Sequence, residues 1–123
     1  MLTTAIKTKA EVEQKEMEWG NLQLYAGPHC SDYGMTFGRI TIKPGQGIPK
    51  HYHPDAEEIL YVVEGELMHT IPEGGTVLLK AGDSIMLPRI KPHAAWNEAD
   101  VPCTCIVSFN NGNRTSIICD DAS

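Results

Sequence analysis

The chain predicts an all-β domain folded as a small barrel, and three observations carry that expectation. From Met35 onward, short apolar runs are broken at close intervals by turn residues, the pattern of many short strands. Only Thr8 to Trp19 has the Glu- and Lys-rich composition of a helix, and its apolar residues Val12, Met17 and Trp19 make a poor stripe. At 123 residues there is chain enough for one core, with no linker, repeat or low-complexity tract to divide it. The expected organisation is a single domain over 1–123, with an N-terminal arm over 1–20 and the barrel over 35–119.

Each element has its own signal. Thr8 to Trp19 reads as an extended arm or short strand with room for one helical turn. Met35 to Lys43 is a strand stopped by Pro44-Gly45, and the segment through His51-Tyr52-His53 is again extended. Ile59 to Val63 turns at Glu64-Gly65 into Glu66 to Ile71. Pro72-Glu73-Gly74-Gly75 leads to Thr76 to Lys80, and Ala81-Gly82-Asp83 to Ser84 to Leu87. Ala94 to Asn97 and Cys103 to Phe109 follow, and Asn111-Gly112 is a hairpin signal before Thr115 to Cys119.

Composition narrows the functional classes. Apolar content of 41% and charged content of 21% describe an ordinary globular chain. A net charge of −6 leaves no basic footprint, so nucleic acid is not an expected partner. No apolar run approaches the ~18 residues of a membrane span, and Met1 to Trp19 is too polar for a signal peptide, so no membrane is expected and the expected location is the cytoplasm. Cys30, Cys103, Cys105 and Cys119 have neither zinc-ribbon nor redox-pair spacing and read as reduced thiols packed as small hydrophobes.

The densest chemistry lies in Gly45-Gln46-Gly47-Ile48-Pro49-Lys50-His51-Tyr52-His53, followed by Glu58 and, later, by His93. Alternate side chains of a strand share a face, so His51 and His53 point together while Tyr52 points away. Packed in an apolar barrel without a cation, these imidazoles would leave ring nitrogens in need of partners. Three nitrogen donors and one carboxylate suit one divalent transition metal per chain, Fe, Mn, Ni, Zn or Cu, and do not suit an all-oxygen calcium site. The remaining formal positive charge favours an anionic or enolate-forming small molecule.

These residues resemble the cupin superfamily, in particular a small single-domain metal-binding cupin of the compact microbial kind. Its first motif, G-x5-H-x-H-x4-E-x6-G, is met at Gly45, His51, His53, Glu58 and Gly65; the second, G-x5-P-x-G-x2-H-x3-N, at Gly82, Pro88, His93 and Asn97. The resemblance implies a double-stranded β-helix, or jelly-roll barrel, with His51, His53, Glu58 and His93 as metal ligands. Glu57 competes with Glu58, because the family tolerates the shorter spacing, and the six residues before Gly65 favour Glu58. Ile90 stands where the family pattern has glycine, so a different backbone path is expected there.

Around that centre, Arg39 is the candidate to grip a substrate carboxylate, with Phe37 on the same strand face; the opposite face carries Ile40 and Ile42, which need burial. Leu60 and Val62 share the parity of Glu58 and are expected as apolar walls, with Trp96 at the cavity mouth. Thr41 and Asn97 are candidates to orient the imidazoles. His69 shares a face with Leu67 and Ile71 as a candidate internal acid or base. The leading expectation is a metal-dependent enzyme, either a non-haem dioxygenase or a Lewis-acid isomerase, cyclase, lyase or decarboxylase. No cavity residue declares itself as a base, which tilts the reading toward oxygen chemistry. A non-catalytic small-ligand binding module is the alternative class. Apolar sheet faces and an unpaired arm point to a homodimer, as similar cupins often form.

Overall fold

The computed structural model describes residues 3–30 and 32–119, so residues 1 and 2 of the expected arm and the last four residues of the expected domain lie outside the described residues. Among the described residues eleven strands follow one another: β1 (Glu13–Met17), β2 (Gly20–Ala26), β3 (Thr36–Ile42), β4 (Gly47–Tyr52), β5 (Glu58–Glu64), β6 (Glu66–Thr70), β7 (Thr76–Lys80), β8 (Ser84–Leu87), β9 (His93–Trp96), β10 (Cys103–Phe109) and β11 (Ile117–Ile118). All ladders are antiparallel. One sheet runs β1-β2-β3-β10-β5-β8 and the other β11-β4-β9-β6-β7, the two layers of a jelly roll. Among the described residues no helix is long and apolar enough to cross a membrane.

Period-2 burial fixes which face of each strand looks inward. β3 buries Thr36, Gly38, Ile40 and Ile42, while β5 buries Glu58, Leu60 and Val62. β10 adds Cys103, Cys105, Val107 and Phe109, and Leu67, Leu79 and Ala95 close the core from the other sheet. Leu67 is fully buried there, so truncation to Ala would cost about 2–5 kcal/mol. The Cys103 and Cys105 sulfurs lie 3.6 Å apart as free thiols in this core. Outside, Ile59, Tyr61, Val63 and Met86 remain exposed on the six-stranded sheet.

The N-terminal region has the expected single turn and short strand, but it is paired. Thr8 to Val12 forms a single turn, with the amides of Glu11 and Val12 donating to the Thr8 carbonyl at 3.0 and 3.2 Å. Beyond it the chain is a hairpin whose β2 pairs with β3, so the arm is not unpaired and that premise for a dimer falls. β2 had a legible signal, since Leu22 and Leu24 alternate with Asn21 and Gln23.

Two residues of the motifs act on the scaffold. Gly65 adopts φ 86°, and a Cβ there would stand 2.7 Å from the Pro102 carbonyl, so only glycine fits the β5–β6 turn against the start of β10. Asn97 is buried, its Nδ2 donating to the carbonyls of Ile42 (3.1 Å) and Val101 (2.8 Å) while its Oδ1 accepts from the Ala99 amide (2.9 Å). All its hydrogen bonds knit strand ends together, so it does not orient the imidazoles as expected.

Candidate metal centre

The register of β4 and β9 sets the site. His51 and His93 are Cα partners across that ladder, and their rings approach to 4.4 Å between centroids. His53 follows one residue past β4, its ring 5.0 Å from His51 and 5.5 Å from His93. One ligand atom from each of the three histidines lies within 4.8 Å of the others. Glu58, opening β5, points to the same place: its Oε1 stands 3.5 Å from His53 Nε2 and 3.3 Å from His93 Nε2.

Backbone carbonyls decide which nitrogen of each ring is available. Nδ1 of His51 lies 2.7 Å from the Pro49 carbonyl, Nδ1 of His53 3.0 Å from that of Thr115, and Nδ1 of His93 3.0 Å from that of Lys91. A carbonyl only accepts, so each Nδ1 carries the proton and each Nε2 keeps its lone pair. These carbonyls, not Thr41 or Asn97, orient the rings. Thr41 shares the outward face of β3 with Phe37 and Arg39. Asp55 supports one of the carbonyls: its carboxylate accepts the Thr115 amide at 2.9 and 3.1 Å and the Thr115 hydroxyl at 3.0 Å.

The electrostatics fit a cation. Burial, followed by the neighbouring His93, lowers His51 to about 4, so it is a neutral donor near pH 7. Burial pushes the Glu58 carboxyl up, but its contacts with His53 and His93 outweigh that and bring it to about 2. That lowering needs a proton or a cation on the imidazole side, whereas each Nε2 here keeps its lone pair, so in the neutral rings acceptor faces acceptor. Glu58 Oε1 and His93 Nε2 are buried without a hydrogen-bond partner among the described residues. A divalent cation between them would satisfy all four groups at once. Glu57, by contrast, is exposed and engaged by Asn110, whose Nδ2 donates to its Oε1 at 3.0 Å, so burial favours Glu58.

The four residues open onto a cavity of about 600 Å3 walled by Leu22, Ile40, Ile48, Leu60, Val107 and Phe109. Leu60 lines it as expected, whereas Val62 lies deeper in the core. Arg39 and Phe37 stand on the solvent face of β3: inward parity on that strand goes to Ile40 and Ile42, whose burial outweighs any use of the arginine inside. Trp96 is turned away from the cavity on β9, its indole N–H donating to Glu98 at 2.9 Å. His69 does enter the cavity wall, 1% exposed and stacked 5.7 Å from His93, with Nδ1 bonded to the Thr70 carbonyl. Ile90 sits in the turn of its loop. It adopts the left-handed conformation, φ 74°, and donates its amide to the His53 carbonyl at 3.0 Å, a turn that favours glycine.

Sequence reasoning missed Trp19, Leu22, Phe109 and Arg114 as cavity residues. For Arg114 no signal was present, because the irregular segment after β10 has no periodicity from which to read a face.

With fold and site in place, comparison with known proteins is decisive. A model of the cupin domain matches residues 38–109. The chain belongs to the cupin family. Germin-like protein 3-5 of Oryza sativa subsp. japonica is 31% identical over 93 residues, covering 70% of this cupin and 41% of the rice protein. This cupin therefore spans less than half the length of the curated relatives it matches. A solved oxalate oxidase in complex with glycolate is 29% identical with a TM-score of 0.65, covering 69% of this chain and 46% of that one. The polyketide cyclase RemF from Streptomyces resistomycificus has a TM-score of 0.80 over 98% of this chain and 88% of its own; at 18% identity the likeness is one of fold.

Proposed function

We propose that this cupin is a metal-dependent enzyme acting on a small molecule that offers an oxyanion, with non-haem dioxygenase-like oxidation as its reaction. The convergence of three Nε2 lone pairs and an ionised Glu58 at the floor of a largely apolar cavity carries the reading. Similarity to a solved oxalate oxidase supports the oxygen-using branch and a small anionic substrate. His51, His53, His93 and Glu58 would hold the metal. When bound, such an ion supplies polarisation of a coordinated oxygen and, if redox-active, electron exchange with dioxygen. The protein's own contribution is then binding and exclusion: Leu60, Val107 and Phe109 keep bulk water from the floor, and the carbonyls of Pro49, Thr115 and Lys91 hold the rings in place.

His69 favours a second reading. Burial lowers its pKa, and with Nδ1–H bonded to Thr70 its Nε2 is left as a neutral base in the cavity wall. It is the residue the sequence offered as a candidate internal acid or base, and it suits Lewis-acid isomerisation, lyase chemistry or decarboxylation in which Nε2 takes a proton from a substrate carbon or oxygen. Elemental analysis of natively purified protein, followed by oxygen-electrode assays with a panel of hydroxy- and oxo-acids, separates the branches. One iron or manganese per chain with substrate-dependent oxygen uptake is the expected result. Turnover that persists without oxygen and collapses in His69→Gln would move the assignment to the second reading. Absence of stoichiometric metal would end both.

A further inference from the structure

We propose that Arg114 is the anion-recognition residue of this cavity, and that the ligand is an amphiphilic oxyanion: an apolar, ring-sized body bearing a carboxylate beside a metal-coordinating oxygen. This deepens the metal-enzyme reading and rests on it.

Arg114 follows β10 and lines the cavity with its guanidinium carbon 4.5 Å from the Phe109 ring centroid. That ring lies in turn 4.8 Å from His53, so the cation sits one aromatic ring away from the metal corner. The buried Nε of Arg114 has no hydrogen-bond partner among the described residues. Of the carboxylates whose charge it feels, Glu58 faces the imidazoles of the metal corner and Asp55 accepts from Thr115, and neither is hydrogen-bonded to the Nε. A guanidinium offers a planar fork of donors, and one whose neighbouring carboxylates are taken is a receptor for a carboxylate from outside.

The segment is held in advance of any ligand. Asp55 binds Thr115, the residue after Arg114, and its backbone carbonyl accepts Asn111 Nδ2 at 3.0 Å, so both ends of the turn are pinned to the metal loop. Charge points the same way. Two positive charges from the ion, less one at Glu58, plus one at Arg114, leave two to be balanced by the ligand. Most of the remaining wall is apolar, with Leu22, Ile40, Ile48 and Val107 facing about 600 Å3 and His69 and Ser116 as polar exceptions. Glu16 and Glu18 at the mouth are exposed, and Glu16 accepts Asn21 Nδ2 at 2.7 Å; water and salt screen both from the floor. A two-carbon dicarboxylate would answer the charge and leave the apolar wall wet. A neutral apolar molecule would do the reverse. An amphiphilic oxyanion satisfies both halves of the cavity.

The test loads the full chain with cobalt and titrates it with an ortho-hydroxynaphthoate, a vicinal naphthalenediol and oxalate, followed by cobalt absorption and calorimetry. The hydroxynaphthoate is expected to bind at least tenfold more tightly than oxalate. Arg114→Gln should weaken the hydroxynaphthoate about 10- to 100-fold, leave the diol within about twofold, and keep the wild-type cobalt content and melting curve. Arg114→Lys, which keeps the charge and loses the fork, should fall between the two; if Arg114→Gln proves unfolded, a selective loss in the lysine variant supports the inference equally. Equal hydroxynaphthoate affinity in the cobalt-loaded variant and wild type, a preference for oxalate, or silence toward all three probes overturns the inference while the metal reading stands. Failure of the wild type to take up cobalt instead sinks the metal reading, and the inference falls with it.

Discussion

Two regions of this cupin close one cavity by different means. Residues 45–97 carry both motifs and all four donors, held at strand ends by the β4–β9 ladder and by backbone carbonyls. The flanks, residues 16–22 and 109–118, supply Trp19, Leu22, Phe109 and Arg114, held by the N-terminal hairpin and by a pinned turn. The first region can hold an ion with little regard to what arrives above it. On the proposed reading, the second decides what can sit on that ion.

The largest expected effect breaks the first region alone. His53→Ala or His93→Ala should lower metal affinity by more than the roughly 10- to 100-fold that loss of an outer supporting partner costs, while circular dichroism still reports a folded barrel. Next comes Asp55→Ala, which strikes the joint between the regions: Thr115 loses its anchor, and its carbonyl no longer fixes His53. Chelator competition should show affinity reduced about tenfold, with partial recovery in Asp55→Asn. An unchanged affinity would mean that Thr115 holds its place without help.

Two smaller effects sharpen the comparison. Ile90 is 63% exposed and carries a left-handed backbone that costs a side-chain-bearing residue roughly 1–2 kcal/mol. Set against the greater unfolded-state freedom of glycine, Ile90→Gly should stabilise by about 0.5–1 kcal/mol in denaturant melts; a net loss would contradict the strain argument. Arg39→Ala should change stability by no more than about 0.5 kcal/mol and leave metal and ligand binding untouched, in contrast to Arg114→Gln.

How much the sequence revealed follows the same division. The ligand spacing was legible because strand parity and the turn to Glu58 are local in sequence and the distant His93 carries a motif of its own. β3 through β10 were legible because one-sided burial imposes alternation. Arg39 was misplaced although its strand was correctly read, since parity gives two faces and only the packing of Ile40 and Ile42 chooses between them. The β2 signal, Leu22 and Leu24, was present and passed over. Arg114 and the Asp55–Thr115 anchor depend on contacts between residues sixty positions apart in irregular backbone, for which no periodicity exists.

The most direct measurement is an anomalous difference map from crystals of the metal-loaded protein. One peak per chain is expected, with His51, His53 and His93 Nε2 and Glu58 Oε1 each about 2.0–2.2 Å from it. A strong peak elsewhere, or loaded crystals with none among these side chains, would contradict the account.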